Sequence, residues 1–267
     1  MISGACHDRA MPELPEVETF KRYIERTSLR RPMVHLDVRN DLIIRGIQRM
    51  DLIDAVEGGE LLSARRHGKW LFLELSGGGW LTWHFGMTGR PVFFEGEFEP
   101  RFARALFRFQ HGALAFVDPR MLGRLGLTGS PDEFIKERRL GPDALDITLD
   151  RFVETFRSSR GPVKTVLMDQ RKLAGVGNLY SDEVLFQCRL DPLRDVRSLS
   201  EQDLVCMHRA MRRVLKRSVL VGTDFDLLPR SYLLRVRGRG ARCPRCGSVV
   251  QTVKLGGRTS YYCPGCV

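Results

Sequence analysis

The chain has 267 residues, with 43 Lys plus Arg against 32 Asp plus Glu, a formal net charge of +11. That length is enough for two modest domains, and 43% apolar with 28% charged residues supports a hydrophobic core, excluding disorder, collagen and a disulfide-stapled miniprotein. No apolar run reaches the roughly 18 residues of a membrane span, and the first ten residues lack the apolar stretch of a secretory signal, so a cytoplasmic protein is expected.

Residues 11 to 18 read MPELPEVE. Met11 followed by Pro12 suits a true start, because a small second residue permits removal of the initiator Met and leaves Pro12 with a secondary amine. With an α-amino pKa of about 7.7 to 8.0, such an amine is partly unprotonated at neutral pH and can act as a nucleophile. Glu13 and Glu16 lie within one turn of it, and an acid beside an amine suits attack on a sugar carbon, where the departing oxygen or base must be protonated. An acidic helix start explains the same letters. From Pro15 to about Leu29, Val17, Phe20, Ile24 and Ser28 recur at helical spacing.

The period then changes to two. Val34, Leu36 and Val38 alternate with His35, Asp37 and Arg39, and strand-like runs follow at Trp70 to Leu75, Trp80 to Phe85, Pro91 to Phe94, Ala105 to Phe109 and Ala113 to Val117. Turn chemistry at Gly77-Gly78-Gly79 and His111-Gly112 separates them, which predicts an antiparallel sandwich or barrel. Beyond Gly141-Pro142 helices are expected at Leu149 to Arg157, Val163 to Gln170, Leu179 to Cys188 and Glu201 to Leu220, placing a domain boundary near residue 145.

The last 41 residues carry eight cations (Arg230, Arg235, Arg237, Arg239, Arg242, Arg245, Lys254, Arg258) and no carboxylate from Leu227 on. Such an excess meets a polyanion, nucleic acid or an acidic membrane, and the absence of an amphipathic helix here disfavours the membrane. Cys243-x2-Cys246 and Cys263-x2-Cys266 have the spacing of a four-thiolate zinc site, structural because four sulfurs leave no open coordination position. Cys6, Cys188 and Cys206 are expected to be unpaired thiols. Between the two Cys pairs, Val249 to Lys254, Gly256-Gly257 and Arg258 to Tyr262 form a hairpin with Arg258 at its tip, where it can reach a phosphate or base or simply be solvated.

PELPEVE at Pro12 to Glu18, the turn Ala174-Gly175-Val176-Gly177-Asn178-Leu179-Tyr180 and the terminal four-Cys hairpin together resemble the formamidopyrimidine-DNA glycosylase (Fpg) family, related to endonuclease VIII, over nearly the whole chain. The resemblance implies an α+β, two-domain fold. It has an N-terminal helix plus antiparallel β-sandwich, then a helical domain with a helix-two-turn-helix motif and a zinc-bound β-hairpin, with DNA in the cleft between. The implied segments are 1–11, an extension absent from the active form; 12–145, the catalytic sandwich; 146–232, the helical DNA-binding domain; and 233–267, the zinc-finger hairpin. The implied activity is that of a DNA repair glycosylase and abasic-site lyase removing oxidised bases of the formamidopyrimidine and 8-oxoguanine type. The implied partner is double-stranded DNA with damaged bases or abasic sites, bound by a monomer that needs no membrane and holds one structural zinc ion.

Residue by residue, the resemblance makes Pro12 the nucleophile that forms an imine with the sugar, Glu13 the acid that protonates the ring oxygen, and Lys69 a third catalytic residue, contacting phosphate. His84, Asn178 and Arg258 become DNA-binding residues. Extruding a nucleotide leaves a gap in the stack; Met87 and Arg120 match two of the family's three gap-filling residues, and Leu122 stands where the third, a Phe, is expected. Core packing would equally account for Met87 and Leu122. The chain departs from the family in Leu122, in a connection of only Thr223 to Arg242 where members carry a longer loop that closes over oxidised guanine, and in the eleven residues before Pro12. A noncatalytic DNA-binding paralogue, or a glycosylase preferring oxidised pyrimidines or hydantoins, are the alternatives.

Overall fold

The computed structural model describes residues 11–267; the remainder of the expected extension, with Cys6, lies outside the described residues. The chain divides into two units, one running over Glu16–Arg139 with Pro12, the other over Leu140–Val267 with Glu13–Pro15.

Helix α1 (Leu14–Thr27) turns Val17, Phe20 and Ile24 into the first core, at the spacing expected of an amphipathic helix. Then come β1 (Met33–Val38), α2 (Arg49–Val56), β2 (Leu61–His67), β3 (Trp70–Leu75), β4 (Trp80–His84), β5 (Arg90–Phe94), β6 (Ala103–Phe109), β7 (Ala113–Val117), β8 (Arg124–Thr128) and α3 (Pro131–Glu137). The strands form two antiparallel four-stranded sheets, in the orders β1-β6-β7-β5 and β2-β3-β4-β8. Trp83 of β4 meets Phe107 of β6 and Phe116 of β7 with ring centroids 5.6 and 5.0 Å apart, so the two inner faces share one core, as in a sandwich.

The alternation expected in β1 fails at Val34, which is 60% exposed. A register shift between Met33 and His35 against β6 inserts an extra residue, so Met33 and Leu36 face the core and Val34 faces water.

The second unit contains α4 (Leu149–Arg157), α5 (Val163–Met168), α6 (Asn178–Cys188), α7 (Glu201–Leu220), β9 (Gln251–Leu255) and β10 (Arg258–Tyr262). Phe152 and Phe156 stack at 4.3 Å on the inner face of α4. Ser200 and Asp203 form a reciprocal capping box, the Asp203 N–H donating to Ser200 Oγ (3.1 Å) and the Ser200 N–H to Asp203 Oδ2 (2.9 Å). Every residue from Leu179 to Phe186 is buried, which makes α6 the central helix of its unit. The expectation that Cys188 and Cys206 are unpaired is overturned: the last residue of α6 and the second turn of α7 approach to 5.9 Å between Cα atoms and the cysteines are joined as a disulfide. Among the described residues no helix is long and apolar enough to cross a membrane.

Candidate functional site

The turn before α6 is built around Glu13. Its Oε2 accepts the Gly177 N–H at 2.5 Å and its Oε1 the Leu179 N–H at 2.8 Å, so a carboxyl group that is 1% exposed satisfies donors at the helix entry and is fixed by both oxygens. The turn itself needs glycine at 175. Its φ is +116°, and an added Cβ would lie 2.6 Å from the Leu14 side chain, the residue whose N–H donates to the Gly175 carbonyl at 3.1 Å. Gln170 braces the same turn, its amide nitrogen donating to Val176 O (2.7 Å) and its amide oxygen accepting from Gly175 N–H (3.0 Å). Pro12, one residue upstream of Glu13, is buried.

Asn178 does not act as a helix cap; Gly177 occupies that position. Its side chain instead joins α6 to the hairpin, Oδ1 accepting from Lys164 Nζ at 2.7 Å and Nδ2 donating to Thr259 O at 3.1 Å. One Nδ2 hydrogen is left over for a further acceptor. Lys164 also donates to Asp182 Oδ1 (2.5 Å) and Ser260 Oγ (2.7 Å), and Asp182 Oδ2 accepts from Arg237 Nε (2.9 Å) and the Tyr261 N–H (3.2 Å). Both charged side chains of the Lys164–Asp182 pair are fully buried. Desolvation draws the Lys164 pKa down and that of Asp182 up, and each partner's charge opposes the shift. Arg237, read from the sequence as part of a basic tail, is committed to this network and stacks 4.3 Å over Tyr261. Arg258 is exposed at the start of β10, beside the Gly256-Gly257 turn.

At the far end of the hairpin, the four Sγ atoms of Cys243, Cys246, Cys263 and Cys266 lie within 4.8 Å of one another, with three of the pairs at 3.4, 3.5 and 3.7 Å. A tetrahedron of about 2.3 Å zinc–sulfur bonds has edges of about 3.8 Å, so the donor set fits one zinc ion with its coordination closed. Cys243 and Cys263 pack with Phe186, Leu233 and Val250, which ties the four-cysteine site to the end of α6. Chelation of zinc, or Cys263→Ser, is expected to unfold the hairpin locally and lower affinity for duplex DNA by about tenfold or more, with the sandwich still folded, because coordination supplies most of the folding energy of so small a module. The check is zinc release followed with a colorimetric chelator alongside DNA-binding isotherms and the near-ultraviolet circular dichroism of the sandwich.

In the other unit, Lys69 sits with Gly68 in the two-residue turn between β2 and β3 and is only 9% exposed. His84 closes β4 opposite Trp70, their rings 4.8 Å apart. Burial, helped by the charges of Lys69, Arg124 and Arg138, pushes its pKa down to about 4. The imidazole is therefore neutral at pH 7, and since Nδ1 accepts the Gly86 N–H at 3.1 Å, the remaining hydrogen is placed on Nε2 as a donor. Met87 and Leu122 are not core residues: they are 38% and 44% exposed, on the loops after β4 and β7, with Arg120 exposed between them in sequence. The two loops touch through backbone, since a Cβ added to Gly86 would lie 2.4 Å from the Leu122 carbonyl carbon.

The sequence reading missed Gln170, Lys164 and Asp182. Lys164 carried a signal, a cation among Val163, Val166 and Leu167 at positions that all turn inward in α5, which marks a buried charge in need of a partner.

A helix with a β-sandwich, a helical unit and a four-thiolate hairpin, in that order, define a zinc-bearing two-unit fold class. Family models match along the chain in the same order: the formamidopyrimidine-DNA glycosylase N-terminal domain over residues 11–125, the formamidopyrimidine-DNA glycosylase H2TH domain over 140–225, and the zinc finger found in FPG and IleRS over 240–267. The formamidopyrimidine-DNA glycosylase of Thermus thermophilus is 38% identical over 272 residues, covering 96% of this chain and 98% of the relative, and that of Synechocystis is 34% identical over 96% and 98%. Among solved structures, the MutM (Fpg) protein of Thermus thermophilus superposes with a TM-score of 0.81 at 34% identity, covering 96% of this chain and 98% of that one. The Lactococcus lactis Fpg in complex with DNA containing an abasic site superposes with a TM-score of 0.87 at 25% identity, covering 96% and 99%. The chain belongs to the formamidopyrimidine-DNA glycosylase family of DNA repair enzymes.

Proposed function

We propose that the chain removes oxidised purines from duplex DNA and nicks the strand at the resulting abasic site. In this reading the sandwich (12–145) supplies the chemistry, and the helical segment (146–232) and hairpin (233–267) grip the DNA, in the cytoplasm and as a monomer. The Pro12 nitrogen attacks C1′ of the damaged nucleotide, the glycosidic bond breaks with its electron pair going to the leaving base, and Glu13 protonates the ring oxygen as the sugar opens to an iminium. Loss of a proton from C2′ then expels the 3′ phosphate, and hydrolysis of the imine returns the amine. Lys69, Asn178 and Arg258, with the neutral His84 as a donor, hold backbone phosphates, while Met87, Arg120 and Leu122 occupy the gap left by the extruded nucleotide.

The observation that carries this reading is the fixed Glu13 carboxyl, peptide-bonded to Pro12 and held by the N–H groups on either side of Asn178. A carboxyl held by two backbone donors, next in sequence to the candidate amine, supports reading Glu13 as the acid of the reaction. Glu13→Gln keeps the nucleophile and is expected to slow base excision by about 10²- to 10⁴-fold in single-turnover assays. Nicking of a preformed abasic site, whose sugar already opens to the aldehyde, should fall far less. Equal losses in the two assays would sink the acid role.

The connection after α7 favours a wider lesion range within the same class. Leu228, Tyr232, Leu233 and Leu234 are buried, and the Leu234 N–H donates to Glu183 Oε2 at 2.8 Å, so much of this short segment is fastened into its own unit. A segment so fastened is poorly suited to close over one particular base, which supports hydantoins and oxidised pyrimidines as additional substrates.

A further inference from the structure

We propose that Asp118 is a positioning residue that locks Met87, Arg120 and Leu122 into a single preformed wedge. The inference rests on the gap-filling role given above to those three residues. Asp118 follows β7 directly and is completely buried. Its Oδ1 accepts from the Thr88 hydroxyl at 2.8 Å and from the Arg120 N–H at 3.3 Å, and its Oδ2 accepts from the Gly123 N–H at 2.7 Å. One carboxylate thus reaches the residue after Met87, the backbone of Arg120 and the residue after Leu122, joining two loops thirty residues apart in sequence.

The mount of this carboxylate is itself fixed. The Asp118 N–H donates to Phe102 O at 3.1 Å, and the Arg104 guanidinium donates to the carbonyls of Asp118 (2.8 Å) and Pro119 (3.3 Å). Gly123 sits so close to the Phe116 ring that an added Cβ would come within 2.2 Å of it, so the second loop returns to β8 along a single path. Met121 between the wedge residues takes a φ of +54°, a conformation that a non-glycine residue keeps only when its surroundings impose it.

The wedge side chains are themselves partly or largely exposed. Met87 and Leu122 are 38% and 44% exposed, so burial orders them only in part in the free protein. Their aim depends on the loops that carry them, and Asp118 ties those loops together through the Thr88 hydroxyl on one side and the Arg120 and Gly123 N–H groups on the other. Loops without that tie would have to be ordered at each encounter with DNA, a cost taken from binding every time.

The test compares nicking of an abasic site in duplex DNA with nicking of the same site in a single strand, where no stacked partner strand leaves a gap to fill. Thr88→Val removes only the hydroxyl that ties the Met87 loop, and is expected to lower the duplex rate about tenfold and the single-strand rate by less than about twofold. Asp118→Ala should lower the duplex-to-single-strand ratio further. Asp118→Asn should fall between, since its amide oxygen can still accept from Gly123 and its NH2 can donate to the Thr88 oxygen. Met87→Ala, which removes the wedge side chain directly, calibrates the ratio. A lowered ratio in Met87→Ala with wild-type ratios in Thr88→Val and Asp118→Ala would overturn the role of Asp118 alone, as would parallel loss on both substrates in Thr88→Val. A wild-type ratio in Met87→Ala would overturn the gap-filling reading and this assignment with it. Should Asp118→Ala fail to fold, Thr88→Val decides the matter.

Discussion

Protein whose chain begins at Pro12 is expected to be captured on DNA by borohydride, and protein that retains residues 1–11 is expected to give no captured product. The difference is one of bond order at a single nitrogen. A terminal proline carries a secondary amine with a pKa of about 7.7 to 8.0, so a useful fraction holds a free lone pair at neutral pH without the large pKa shift a lysine would need. In the chain that continues through Met11, the same nitrogen is an amide, its lone pair delocalised into the carbonyl. Attack by the amine yields an iminium at C1′; hydride from borohydride adds to that carbon and leaves a stable tertiary amine linking protein to sugar. Denaturing gels with an abasic-site duplex, and intact mass of the conjugate, read the outcome directly. Binding to the same duplex should differ little between the two proteins, which separates loss of chemistry from loss of recognition. Capture of the extended protein with residues 1–11 still attached would exclude Pro12 as nucleophile, and Lys69 would be the next side chain to test.

How far the sequence disclosed this arrangement depended on what kind of force fixed each piece. Strands with strong apolar alternation or continuous apolar runs, such as β3 and β7, and a helix with a clean cap, such as α7, stand where periodicity places them. Elements with weak local signals were missed. β2 reads Leu61-Leu62-Ser63-Ala64-Arg65-Arg66-His67, and it is a strand because β3 pairs with it from Leu61 to His67; α2 and α3 are short and lean on caps at Gln48 and Ser130. Val34 was assigned to the wrong face because a bulge is decided by the partner strand. Zinc ligands were legible from spacing alone, because a turn must present paired sulfurs. Cys188 and Cys206 were not, since their approach depends on how α6 packs against α7. The site divides in the same way. Pro12, Glu13 and Asn178 stand in recognisable stretches of sequence, whereas Asp118, Gln170 and Lys164 matter through partners that include ones 30, 5 and 96 residues away in the chain.

The Lys164–Asp182 pair supplies the second large effect. Lys164→Ala is expected to destabilise the zinc-loaded protein by about 3 to 5 kcal/mol, because it leaves a fully buried carboxylate with only part of its partners, and removing one member of a buried pair costs far more than the pair contributes. The loss should be seen in urea unfolding followed by α-helical circular dichroism. Lys164→Met combined with Asp182→Leu removes both charges together and should recover about 2 kcal/mol or more of that loss, since Arg237, already partly solvent-facing, can turn outward and stay hydrated. The two variants should differ less in function than in stability. Either one releases Asn178 from Lys164 and frees Ser260 of β10, so each should loosen the tie between the 174–180 turn and the hairpin and speed zinc release to a chelator. A cost below about 1 kcal/mol for Lys164→Ala would mean that water reaches the pair in solution, and the orientation of Asn178 would then have to come from its bond to Thr259 alone.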